Sequence, residues 1–126
     1  MNVIVSATKD DLNGPVDPRF GRCQYFIRVD TETLDYNSIK NSQKDAMGGA
    51  GVQAAQTVAN AKVDAVITGS VGPNAFQTLN VAGIKIFTGA SGTVKDAIRA
   101  LKDGSLQETN NSTVGSHHGM GGKRRN

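Results

Sequence analysis

Between residues 51 and 88 the chain switches back and forth between helical and strand-like hydrophobic periods, and this alternation restricts its fold more than any other feature. Residues 51–62 place Val52, Ala55, Val58, Ala59 and Ala61 on one helical face of small apolar side chains. Residues 64–69 are a short strand-like run, Asp-Ala-Val-Ile-Thr-Gly. Residues 73–82 return to a helix, with Pro73 at its first position and Gly83 just past its end. Residues 84–88, Ile-Lys-Ile-Phe-Thr, are again strand-like. A helix that links two strands of one sheet forces them to run parallel, with a right-handed crossover.

The flanking segments complete the sheet. Residues 2–7 (Asn-Val-Ile-Val-Ser-Ala) form a continuous apolar run, the pattern of a strand buried on both faces. Residues 24–30 and 33–40 read as two strands joined by a short turn, hence an antiparallel pair. Residues 93–103 predict a helix: Thr93 and Asp96 approximate a capping box, Val94, Ala97, Ile98 and Leu101 share a face, and Gly104 ends it. Residues 105–109 can add a short edge strand. The expected fold class is α/β, a mixed sheet of five to six strands flanked by about three helices.

A chain of 126 residues suits one domain, which we place at residues 1–109, with a flexible, polar Gly/His-rich tail at 110–126. Net charge is +3, but Lys123, Arg124 and Arg125 supply three of the 14 basic residues, which leaves 11 against 11 acidic ones in the rest. The body is therefore neutral and lacks a nucleic-acid footprint. No apolar run is long enough for a membrane span, and the chain opens directly into a strand without a signal-type segment, so a cytoplasmic protein is expected. The single cysteine, Cys23, excludes an internal disulfide.

Ligands in open α/β sheets bind beyond the carboxyl ends of parallel strands. Four segments are expected at such an edge: the loop 6–22, with Arg19 and Arg22; residues 48–51, with Gly48, Gly49 and Gly51; residues 69–74, with Gly72 and Asn74; and residues 89–92, with Gly89 and Ser91. Three of them lead into helices, whose N-terminal amides attract anions. None matches a Walker loop or a dinucleotide-binding fingerprint. The soft metal-ligand candidates are Cys23, Met47, His117, His118 and Met120. Cys23 also reads as a small buried hydrophobe, and the two histidines as part of a solvated tail. No Cys-x-x-Cys or His-x-x-x-His pair provides a self-sufficient metal site. Catalysis finds little support. No Gly-x-Ser-x-Gly elbow is present, the only histidines lie in the tail, and strand 2–7 carries no acidic residue for a two-metal site.

The strings Arg19-Phe20-Gly21-Arg22-Cys23-Gln24-Tyr25-Phe26, Gly48-Gly49-Ala50-Gly51, Val63-Asp64-Ala65-Val66-Ile67-Thr68-Gly69, Gly72-Pro73-Asn74-Ala75-Phe76 and Ala82-Gly83-Ile84-Lys85-Ile86-Phe87 resemble, in order, the dinitrogenase iron–molybdenum cofactor biosynthesis family. That family comprises NifX, the NafY core, the C-terminal domain of NifB and many stand-alone relatives. The resemblance implies a ribonuclease-H-like three-layer fold and a non-catalytic carrier of an anionic metal–sulfur cluster, either iron–molybdenum–sulfur or molybdenum–copper-sulfide. It implies cluster donor or acceptor proteins as partners. It carries no histidine ligand onto the matched region, and this chain lacks the radical-SAM cysteines of NifB. Two other readings compete: a binder or enzyme that uses the same pocket for a phosphate-bearing ligand, and a regulatory module that contacts a partner protein through the tail.

Overall fold

The computed structural model describes residues 1–42, 44 and 49–112. The expectations attached to Met47, Gly48, His117, His118 and Met120 lie outside the described residues. Five strands form one sheet in the order β3-β2-β1-β4-β5. These are β1 (Asn2–Ala7), β2 (Tyr25–Asp30), β3 (Tyr36–Lys40), β4 (Ala65–Ile67) and β5 (Lys85–Phe87). β1 pairs antiparallel with β2 and parallel with β4; β2–β3 is antiparallel and β4–β5 parallel. Three helices, α1 (Ala50–Asn60), α2 (Pro73–Val81) and α3 (Val94–Lys102), complete the three-layer α/β fold.

The alternation of side chains along a strand divides the core in two. From the central strand, Ile4 points to the face covered by α1 and α2, where it joins Phe20, Phe26, Ala54, Ala55, Val58, Ala75 and Leu79. Val3, Val5 and Ala7 point to the other face, against Ile27, Val29 and the apolar stripe Val94, Ala97 and Ile98 of α3. Both faces of β1 are thus sealed, as its unbroken apolar run requires. Phe26 is fully buried, with its ring 5.3 Å from that of Phe20 at 47°.

Several boundaries differ from the sequence reading. α1 begins at Ala50, and its buried face carries Ala50, Ala54, Ala55 and Val58 but not Val52. The hairpin turn extends to Asp35 because the Asp30 carboxylate accepts the N–H groups of Glu32 and Thr33, and Leu34 adopts φ 65°. These main-chain bonds hold the Asp30 carboxyl below its ordinary range. Residues 105–109 contribute a single bridge from Glu108 to Phe87, not a sixth strand. The capping box of α3 forms as expected: Thr93 Oγ1 accepts Asp96 N–H at 3.0 Å, and Asp96 Oδ2 accepts Thr93 N–H at 3.0 Å. No helix among the described residues is long and apolar enough to cross a membrane.

Removing the Phe26 ring leaves a void beneath both α1 and Phe20. Phe26→Ala is expected to lower unfolding free energy by about 3–5 kcal/mol, measured by urea denaturation. A loss below about 1 kcal/mol would show that this layer of the core is loosely packed.

Candidate functional site

β1 and β4 run parallel, so their carboxyl ends open at one edge of the sheet. A buried polar junction ties the loops that leave them. Ser6 Oγ lies 2.7 Å from the carbonyl oxygen of Asp17 and 2.7 Å from Thr68 Oγ1, while Asp17 N–H donates to the Ser6 carbonyl at 2.9 Å. Gly69 then passes directly over Pro18. A Cβ at Gly69 would sit 2.5 Å from Pro18 Cα, a distance only glycine avoids. Ser70 closes the junction: its N–H and its hydroxyl donate to the Pro18 carbonyl at 2.7 and 3.0 Å.

This junction carries the short 3-10 turn Phe20–Arg22 across the start of α1. Gly21 makes the close approach: a Cβ there would lie 3.0 Å from Gly51 Cα. Gly51 in turn faces Ala75, so the first turns of α1 and α2 stand side by side. Together they form a cleft of about 390 Å³. One wall is Arg19, Phe20, Gly21 and Arg22. The second is Gly49, Gly51 and Val52 from α1, and the third is Ser70, Gly72, Pro73, Asn74 and Ala75 from α2.

Two features give the cleft its polarity. First, α1 and α2 start from Gly49 (φ 75°) and Gly72, and neither has a side-chain cap. The first N–H groups of a helix have no partner within it; Pro73 carries none, so α2 offers those of Asn74 and Ala75, and no capping side chain takes the amides at either start. Each helix also brings the positive end of its dipole. The first amides of α3, by contrast, are taken: Val94 and Lys95 donate to the carbonyls of Gly14 and Leu12, and Asp96 donates to Thr93 Oγ1. Second, Arg19 and Arg22 line the cleft, and among the described lining residues none is acidic. The Arg19 side chain is 67% exposed, with Nε 3.4 Å from Oδ1 of the buried Asp17. Arg22 Nη1 donates to the Lys44 carbonyl at 2.7 Å.

Of the expected site residues, Arg19, Arg22, Gly49, Gly51, Gly72 and Asn74 come together. Gly89 and Ser91 do not line the cleft. Their segment leads into α3, which packs on the opposite face of the sheet, and it is tied down by Gly89 N–H to Gly69 and Val16 N–H to Gly92. Cys23 is also corrected. It lies wholly within the core under α1 and α2, with Sγ donating to the Phe20 carbonyl at 3.3 Å, and so presents no sulfur to the cleft. No group of three or more His, Cys, Asp or Glu among the described residues can hold a metal ion. A groove of about 440 Å³ between Leu34 and α3 is larger than the cleft, but Lys95, Ile98, Arg99, Lys102 and Asp103 line it from the side of α3, with no helix N-terminus.

Ser6, Asp17 and Thr68 were not expected as site residues, and Val52 was expected on the apolar face of its helix. Asp17 had a signal in Asp17-Pro18-Arg19: its Oδ1 accepts Arg19 N–H at 2.9 Å, the local turn that an aspartate two residues upstream forms readily. Asn41 was also missed. It is buried, and its side-chain amide donates to the carbonyls of Gly21 and Cys23 at 3.2 and 2.9 Å, bracing the turn from beneath.

Burial first, and the Asp17 charge second, push the Cys23 thiol up from 9.0 to about 12. An unfolded chain releases this proton at lower pH, so the contribution to stability is complete below pH 9 and fades as pH climbs toward 12. The stability advantage of the wild type over Cys23→Ala is therefore expected to narrow across that window in denaturation series. A constant difference would contradict it.

The matched family model is described as dinitrogenase iron-molybdenum cofactor and covers residues 1–104. The chain is similar to the orange protein of Desulfovibrio gigas, solved in its apo form, with 36% identity over 90% of this chain and 96% of that one and a TM-score of 0.87. It is similar to a NifB-type protein of Thermotoga solved by NMR, with 36% identity, 90% and 97% of the two chains covered, and a TM-score of 0.78. An uncharacterised protein of Methanocaldococcus jannaschii is 28% identical over 99 residues, 76% of this chain and 84% of that protein.

Proposed function

Since the chain belongs to the dinitrogenase iron–molybdenum cofactor family, we propose that it is a non-catalytic carrier that holds an anionic metal–sulfur cluster in the cleft between the Phe20–Arg22 turn and the first turns of α1 and α2. The observation that carries this reading is the pairing of two uncapped helix N-termini with two arginines in one cleft.

The chemistry of the donor set defines the cargo. Main-chain N–H groups and guanidinium groups donate hydrogen bonds and favour negative charge, but they form no covalent bond to a metal. Sulfide-coated clusters such as iron–molybdenum–sulfur or molybdenum–copper-sulfide species offer the complementary surface, with net negative charge and sulfur acceptors. A cluster held this way arrives preassembled and leaves intact, as a transfer between donor and acceptor proteins requires. The cleft volume of about 390 Å³ falls within the range of small-ligand sites, about 300–1,000 Å³. Phe20 and Val52 add apolar walls that exclude water and strengthen each hydrogen bond.

The test is anaerobic incubation of the full chain with tetrathiomolybdate and copper(I), followed by desalting, elemental analysis and visible absorption. The wild type should retain molybdenum at a fixed ratio to protein. Arg19→Ala combined with Arg22→Ala should weaken retention by about tenfold or more, the loss of two charge-assisted contacts, while leaving the fold intact. Inorganic phosphate at equal concentration should not displace the cluster. Equal retention by wild type and double variant would overturn the role given to the arginines, and displacement by phosphate would favour a phosphate ligand.

A further inference from the structure

We propose that Asp17 is a positioning residue for Arg19: its buried carboxylate grips the inner edge of the guanidinium so that the outer fork faces an anion in the cleft. This rests on the anion-binding reading of that cleft, and it adds a residue outside the cleft lining. Asp17 is 2% exposed, and its Oδ1 accepts the main-chain N–H of Arg19 at 2.9 Å and lies 3.4 Å from Arg19 Nε. A buried carboxylate is costly, and beside a site that favours anions its charge acts against the ligand. Its place there needs a return, and the acceptor oxygen it presents to Arg19 can give one.

The geometry supplies one. Asp17 stands on a rigid stem, because Ser6 accepts its main-chain N–H and lies within hydrogen-bond distance of its carbonyl. Besides the Arg19 main-chain N–H, its carboxylate meets the guanidinium at Nε, and the Arg19 side chain remains 67% exposed. A guanidinium carries its N–H donors in one fixed plane. Pinning Nε therefore sets the orientation of that plane and leaves the Nη donors for the ligand. An exposed arginine without this anchor would have to surrender its rotamer freedom each time an anion bound.

The experiment is a double-mutant cycle on the full chain, with tetrathiomolybdate affinity measured for the wild type, Asp17→Ala, Arg19→Ala and the pair. Asp17→Asn serves as the variant that keeps an oxygen acceptor but loses the charge. Asp17→Ala is expected to weaken binding by about tenfold in the wild-type background and by less than about twofold when Arg19 is already alanine. Asp17→Asn should stay within about threefold of the wild type. Tighter binding by Asp17→Ala, or an equal loss in both backgrounds, would overturn the proposal in favour of plain charge repulsion or a general packing role. A ligand-free readout separates this idea from the carrier reading. In ¹H–¹⁵N spectra, the Arg19 Nε–H signal (identified by its disappearance in Arg19→Ala) should exchange with water more slowly than those of the other arginines, and this protection should vanish in Asp17→Ala. If thiomolybdate binds to none of the proteins, the carrier reading fails while Nε–H exchange still decides the role of Asp17. Fast exchange in the wild type refutes it.

Discussion

The contact between two loops at the carboxyl ends of β1 and β4 is the constraint on which the site depends. Gly69 crosses Pro18 at a distance that excludes any side chain, and Ser6, Thr68 and the Asp17 backbone fill the space beneath with paired polar groups. Buried hydroxyls and main-chain groups are costly when unpaired, so this junction has one low-energy arrangement. Through it the first loop is held against the second, and the Phe20–Arg22 turn is delivered over the start of α1. Without that junction the arginines would sit on a free surface loop, with no defined relation to the helix ends.

The helices complete a division of labour between the two faces of the sheet. α3 is capped by its own side chains and carries a strongly apolar stripe into the core, so it acts as a structural buttress. α1 and α2 leave their first amides uncapped and approach each other through Gly51 and Ala75, residues small enough to bring both N-termini to one cleft. Amides fixed by a helix need no reorganisation when an anion arrives, which makes such donors more effective than mobile lysines. The same face buries Cys23 and Asn41 beneath the turn, where they stiffen the cleft wall rather than meet a ligand.

Much of this was legible in the sequence, for identifiable reasons. β1 announced itself by a continuous apolar run, the parallel β4–β5 pair by the helix between its strands, and α3 by Thr93, Asp96 and the spacing of its apolar stripe. Six cleft residues were legible from glycine and arginine positions after strands, and the family match over residues 1–104 agrees with the motifs that suggested it. Other parts were hidden because period and composition are silent about three-dimensional choices. Hydrophobic spacing shows that α3 is amphipathic but not which face of the sheet it covers, so Gly89 and Ser91, which do lie at the expected sheet edge, were grouped with a cleft that they do not line. α1 buries Ala54, Ala55 and Val58, which leaves Val52 at the cleft although its spacing to Ala55 and Ala59 also suits a core face. Cys23 follows an arginine loop in the chain, yet its side chain turns inward, a fact set by Phe20 and Asn41 rather than by its own position. Asp17 was overlooked because an acidic residue near an anion site looks contradictory until its contact with Arg19 is seen.

In the proposed carrier, main-chain amides at the starts of α1 and α2, and not those of α3, receive the anion. Amide ¹H–¹⁵N spectra recorded during anaerobic titration with tetrathiomolybdate test this placement directly. Saturable shifts are expected at Gly51, Val52, Asn74 and Ala75, with the amides of Val94, Lys95 and Asp96 unmoved. Shifts concentrated at the start of α3, or no saturable shift at the α1 and α2 amides, would contradict it.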